Sequence, residues 1–267
     1  MSLKARILGC GSSGGVPRIG NNWGDCDPSN PKNRRTRCSL LLTRSGNGGI
    51  TNVLIDTSPD LREQLIAAEC GQVDSVIYTH DHADQCHGID DLRALALIQR
   101  ARVPIWADTA TRQTLTDRFG YCFQAPEGSP YPPILEMNAM EVPQPVTVTG
   151  EGGTIAAHPF RVVHGATPTL GFRVEGFAYT PDLNTIRDED VGALDGLDCW
   201  VVDALRRTPH PTHFSLDDAL SWIERVKPRR AVVTNMHVDL DYETLCKELP
   251  AHVVPAYDGM EIEIATK

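Results

Sequence analysis

The chain has 267 residues, a formal charge of −10, and 41% hydrophobic and 22% charged residues, the composition of an ordinary globular protein with room for one large α/β domain or two small ones. Nothing approaches the roughly 20 apolar residues of a membrane span. The acidic balance argues against an anionic membrane or an extended nucleic acid as partner, since both need a basic face.

The start, Met1-Ser2-Leu3-Lys4-Ala5-Arg6, runs straight into a strand at Lys4–Leu8 without the apolar core of a signal peptide, so a cytoplasmic protein is expected. Gly9-Cys10-Gly11-Ser12-Ser13-Gly14 spells G-x-G-x-x-G, but Pro17 follows where a dinucleotide-binding helix would have to run, so a loop is expected there instead. Residues 18–37 are polar, with Lys32, Arg34, Arg35 and Arg37 clustered, and read as a long loop whose basic group is a solvated surface or an anion-steering rim. Strands are expected at Ser39–Thr43, Asn52–Asp56 and Val73–Ile77, with a helix capped by Ser58 and opened by Pro59 between the last two.

Further on, Ile89–Ile98 has helical periodicity, Val103–Trp106 reads as a short strand, and a helix is expected to reach Phe119. Six prolines between residues 124 and 145 predict an irregular lid or connector. Strands resume at 147–148, 154–157, 160–163, 171–174, 177–179 and 199–203. Ser215 caps an amphipathic helix to Ile223, and strands at 231–234, 253–254 and 261–264 close the chain. No repeat or linker divides it, so one domain over residues 1–267 is expected. The eight cysteines contain no C-x-x-C pair and read as reduced thiols.

The chemistry concentrates in Thr79-His80-Asp81-His82-Ala83-Asp84-Gln85-Cys86-His87, between an apolar strand and a helix. A turn there lets imidazoles and a carboxylate converge as a divalent metal requires. Other candidates end strands far away in the chain: His164 after Phe160–Val163, Asp182 after Phe177–Tyr179, and His237 after Ala231–Thr234, while His213 precedes a helix.

The order His80-x-His82-x-Asp84, His164, Asp182 and a late His resembles the metallo-β-lactamase superfamily over nearly the whole chain. It looks closest to the cyclic-phosphate phosphodiesterase branch of phosphonate degradation, with ribonuclease Z more distant. Gly14-Gly15-Val16-Pro17, Arg34-Arg35-x-x-Cys38-Ser39, Leu54-Ile55-Asp56 and Tyr257-Asp258-Gly259-Met260-Glu261 carry the branch resemblance. The resemblance implies an α/β fold, an αββα sandwich of two mixed sheets flanked by helices. It implies one or two divalent metals, with His80, His82 and His164 holding the first, Asp182 bridging and Asp84 on the second. Zinc suits the histidine-rich first site and manganese the carboxylate-bearing second.

Two departures stand out. The superfamily places His after the motif Asp, where this chain has Gln85, a poorer ligand that leaves the second site weak or empty. The last His would fall near Asn235, so His237, two residues on, is expected to substitute. His87 could similarly replace the missing ligand, but it reads first as a loop or helix-start residue. His213 corresponds to the catalytic His near the leaving group, Asp56 to a carboxylate that orients a ligand, and Cys26 to the remnant of a structural zinc segment.

The expected activity is hydrolysis of a small or cyclic phosphodiester through a metal-activated water, with Asp182 or Asp84 orienting the water and His213 donating a proton. The alternatives are a lactonase or thioesterase, which would use the same ligands on a carbonyl, and a degenerate metal-binding protein without turnover. The expected partner is a small-molecule phosphodiester; a homodimer is left open.

Overall fold

The computed structural model describes residues 2–125 and 127–266. Period-two alternation of apolar residues builds its first sheet. β1 (Ser2–Gly9), β2 (Ser39–Gly46) and β3 (Gly49–Ile55) run antiparallel, and β4 (Ser75–Ile77), β5 (Val103–Ala107) and β6 (Leu135–Ala139) continue in parallel. Leu40, Leu42, Val53 and Ile55 face the second sheet, whereas Leu41 and Leu54 face outward. That outer face is covered by α1 (Leu61–Ala67), α2 (Ala83–Cys86), α3 (Leu92–Gln99) and α4 (Thr109–Phe123), through Leu61, Leu65, Cys86, Leu92, Leu95 and Leu115. Each fully buried aliphatic side chain of this kind contributes about 1.5–3 kcal/mol relative to exposure.

The second sheet mirrors the first in organisation. β7 (Val146–Gly150), β8 (Gly153–His164), β9 (Thr167–Val174) and β10 (Phe177–Thr180) are antiparallel, and β11 (Cys199–Asp203), β12 (Arg230–Thr234) and β13 (Val253–Pro255) are parallel to β10. α5 (Leu216–Val226) turns Leu216, Ala219 and Ile223 into the same apolar body, and α6 (Tyr242–Glu248) adds Leu245. β14 (Glu261–Ile264) then returns to the first sheet beside β1. The sheet orders are β14-β1-β2-β3-β4-β5-β6 and β13-β12-β11-β10-β9-β8-β7. This is the αββα sandwich of two mixed sheets expected from the sequence.

Four local expectations change. The proline-rich stretch is not irregular throughout: β6 lies inside it, paired with β5, at a sheet edge where proline neighbours remove no ladder bond from a second partner. Its Pro126 lies outside the described residues. The strands expected at 154–157 and 160–163 are one strand, β8, which pairs with β7 up to Ala157 and with β9 from His158 onward. α1 starts at Leu61 rather than Pro59, because Ser58 Oγ accepts the Asp60 N–H and holds residues 58–60 as a turn. Helix α6, unforeseen, is capped by Asp241, whose side chain accepts the Thr244 N–H.

The long loop is neither a uniform surface nor a rim. Arg34 is exposed, but Arg35 is only 1% exposed and donates to Asn33 Oδ1 at 3.2 Å. Arg37 pairs with Asp60 at 2.7 Å, and Lys32 lies over the rings of Tyr242 and Tyr257. Among the described residues the eight cysteines are all free, and no helix is long and apolar enough to cross a membrane.

Candidate metal centre

Strand ends deliver the site. β4 runs out at Ile77 and leads to Thr79 and His80; β8 ends on His164; β10 ends two residues before Asp182; β11 ends on Asp203; β12 ends just before Asn235. His82 stands at the start of α2. Ligand groups at the carboxyl ends of strands are held by the ladder behind them yet reach a common cleft.

The ligand atoms of His80, His82 and His164 lie within 4.8 Å of one another, with ring centroids 4.6, 4.9 and 5.2 Å apart. Their hydrogen bonds fix which nitrogens are bare. Thr79 Oγ1 donates to Asp56 Oδ2 at 2.8 Å, so it accepts from His80 Nδ1 at 2.9 Å. His80 Nε2 therefore carries a lone pair, and it is buried without a partner. His164 Nδ1 donates to the carbonyl of Thr212 at 2.6 Å, which leaves its Nε2 bare, 3.2 Å from His82 Nδ1. His82 Nε2 has its own partner in Thr167 Oγ1 at 3.1 Å. Lone pairs aimed at one point repel each other unless a cation sits between them, and second ring nitrogens tied to oxygen acceptors are the usual support of histidine ligands.

Electrostatics agree. Burial, reinforced by the neighbouring imidazoles, holds His80 far below its ordinary range. Burial and the charge of His213 bring His164 down to about 4. Both rings are thus neutral, as metal ligands must be. The residues fit a divalent ion with three imidazole donors.

Asp182 stands beside this group. With His164 and His213 it forms a second set whose ligand atoms lie within 4.8 Å of one another. Its carboxylate accepts from Gln85 Nε2 at 3.0 Å on Oδ2 and from Asn235 Nδ2 at 3.2 Å on Oδ1. Burial pushes its pKa well up, opposed by His213 and reinforced by Asp84. His213 Nδ1 donates to Asp203 Oδ2 at 2.8 Å. Burial would pull this imidazole down, but the hydrogen bond and charge of Asp203 outweigh it and raise the pKa to about 9. Asp203, buried, is itself raised to about 6 against the hydrogen bond from His213, so at neutral pH the pair is an imidazolium and a carboxylate.

Of the residues marked in the sequence, His80, His82, His164, Asp182 and His213 come together. Asp84, half-buried on α2, belongs to neither close set, although its charge bears on Asp182 and His213. His237 is a correction. One ring nitrogen faces Arg18 and the other meets Asp239 at 3.1 Å, so no lone pair remains for a metal and a guanidinium stands where a cation would approach. Asn235, not His237, enters the site, because its backbone adopts φ 60° and turns the chain before His237 is reached. His87 is exposed at the end of α2 with its ring edge-on to Phe119 at 5.5 Å. Asp56 orients His80 through Thr79, as expected of a carboxylate behind a ligand. Burial lifts its pKa to about 8 against the two hydrogen bonds from Thr79. Asp203, Thr79, Thr167 and Thr212 had not been singled out. Only Asp203 carried a signal, a carboxylate ending the apolar run Cys199–Val202.

Residues 51–236 match the family model described as the beta-lactamase superfamily domain. A crystal structure described as a new diphosphatase from the PhnP family is 35% identical, covers 98% of each chain and superposes with a TM-score of 0.86. Among curated proteins, the octanoyltransferase of Porphyromonas gingivalis is 31% identical over 271 residues; the match takes in 99% of this chain but 52% of that protein, so the chain spans about half the length of this relative. Human tRNase Z, short form, is 15% identical over 98% of this chain and all of that one, with a TM-score of 0.66, which shows a shared fold.

Proposed function

The chain belongs to the β-lactamase superfamily and has the metallo-β-lactamase fold, and from that premise we propose that it is a hydrolase that cleaves a small or cyclic phosphodiester. The likeness to a protein described as a diphosphatase, close in identity and nearly complete in coverage, carries this reading. Three imidazole donors fit a catalytic rather than a structural zinc centre, because they leave the fourth position for water.

A divalent ion held by His80, His82 and His164 would supply Lewis acidity, lowering the pKa of water and neutralising charge on the phosphoryl oxygens. Asp182 accepts a hydrogen bond from the attacking water and takes its proton as the new P–O bond forms. His213, kept protonated by Asp203, donates its proton to the departing oxygen as the old P–O bond breaks. Asp84 contributes charge that favours the imidazolium of His213. Thr79 and Thr212 keep the ligand nitrogens unprotonated.

The test is hydrolysis of bis-p-nitrophenyl phosphate beside a simple lactone by the zinc-loaded protein. Turnover of the phosphodiester is expected to fall about 100-fold or more in His213→Ala and in His82→Ala, with circular dichroism unchanged. Hydrolysis of the lactone alone, or full activity in both variants, overturns the reading.

A further inference from the structure

The second set, His164–Asp182–His213, has the composition of a cation site, yet each member is already engaged. His164 gives Nδ1 to the Thr212 carbonyl, and its Nε2 belongs to the three-histidine group. Nδ1 of His213, 3.7 Å from Asp182 Oδ1, is committed to Asp203 at 2.8 Å. Both oxygens of Asp182 accept from amide nitrogens, one from Gln85 and one from Asn235. Asn235 Nδ2 spends its second hydrogen on Asp203 Oδ1 at 3.2 Å, tying the two carboxylates together. Gln85, Asp182, Asp203 and Asn235 are all at most 2% exposed.

An amide nitrogen presents hydrogens, the positive edge of its dipole, to its acceptor. Two such edges around one carboxylate occupy the directions a cation would take and repel a cation that approaches. The carbonyl end of Gln85 is buried without a partner, so the contact with Asp182 alone orients that side chain among the described residues.

We propose that this protein is a one-metal enzyme: a single divalent ion sits on His80, His82 and His164, and the amides of Gln85 and Asn235 take the place of a second ion around Asp182. The inference rests on the preceding reading for the ion at the histidines and adds the stoichiometry. Gln85 and Asn235 are positioning residues that hold Asp182 in place. Replacing either by its isosteric acid turns a donor into an anionic acceptor, opening the Asp182 side to a second cation without changing side-chain volume.

Zinc is the probe. Protein stripped with chelator is titrated with zinc by calorimetry, and the bound metal is counted by elemental analysis after gel filtration. The wild type is expected to hold one equivalent tightly. Gln85→Glu is expected to hold two, and Asn235→Asp, at a backbone position with positive φ that aspartate also tolerates, provides the same readout should Gln85→Glu not fold. Two tight equivalents in the wild type overturn the proposal, as does one equivalent in both folded acid variants. Two equivalents with phosphodiester turnover overturn the stoichiometry alone; one equivalent without turnover overturns the substrate assignment alone.

Discussion

Thr79 has a single hydroxyl proton, and the whole polarity of His80 depends on where that proton goes. Because it is spent on Asp56, the imidazole must donate through Nδ1 and offer Nε2 to the metal. Thr79→Val keeps the shape and removes the relay, stranding a buried carboxylate oxygen and a ring nitrogen. Zinc affinity measured by calorimetry is expected to drop about 10–100-fold, and thermal unfolding to show a loss of about 1–3 kcal/mol; Thr79→Ser is expected to restore both. His80, His82 and His164 were legible in the sequence because clustered or strand-ending imidazoles are scarce enough to stand out. Thr79, Thr167 and Thr212 were not, since a threonine acquires its role from the acceptor it meets, and those meetings are made by the tertiary fold. Gln85 was noticed only as a poor ligand and Asn235 only as the place of a missing histidine; their grip on Asp182 needed coordinates.

Helix α6 shows what an element requires beyond propensity. Tyr242–Glu248 is short, and a helix of that length depends on its cap and its contacts. Asp241 supplies the cap to Thr244 and also accepts from the Asp27 N–H and from Asn33 Nδ2, so it fastens the long loop to the helix. Burial works against its ionised form, but these hydrogen bonds prevail and hold the pKa down to about 2. With the folded value below the ordinary 3.8, the stabilisation is present above about pH 4 and is lost as pH falls toward 2. Asp241→Ala is expected to cost about 1–2 kcal/mol at neutral pH, read as a lower midpoint in urea, and to flatten the acid limb of stability between pH 4 and 2. The cap was overlooked because Val238-Asp239-Leu240-Asp241 has two carboxylates and no way to choose between them from local pattern. The long strand β8 escaped for a related reason: Pro159 reads as a break, and only the change of partner from β7 to β9 explains why the strand passes through it.

The whole molecule is two half-parallel sheets facing each other; apolar alternation made most of the strands legible one by one, while their arrangement in two sheets followed from the resemblance carried by His80-x-His82-x-Asp84, His164 and Asp182. What was not legible is which strand ends meet. His80 and His82 follow a strand of the first sheet, and His164 ends a strand of the second. Zinc at about 100 times its dissociation constant is expected to raise stability by about 2.7 kcal/mol, seen in calorimetry as an upward shift of several degrees that EDTA erases. His80→Ala is expected to unfold at the same temperature with or without zinc. Since the three donors are divided between the sheets, metal affinity also gauges how well the sandwich is closed. A substitution deep between the sheets, far from any ligand, that lets them part by a fraction of an ångström would loosen the ion before it unfolds the protein. Zinc uptake during refolding then serves as a clock for the moment the two sheets dock.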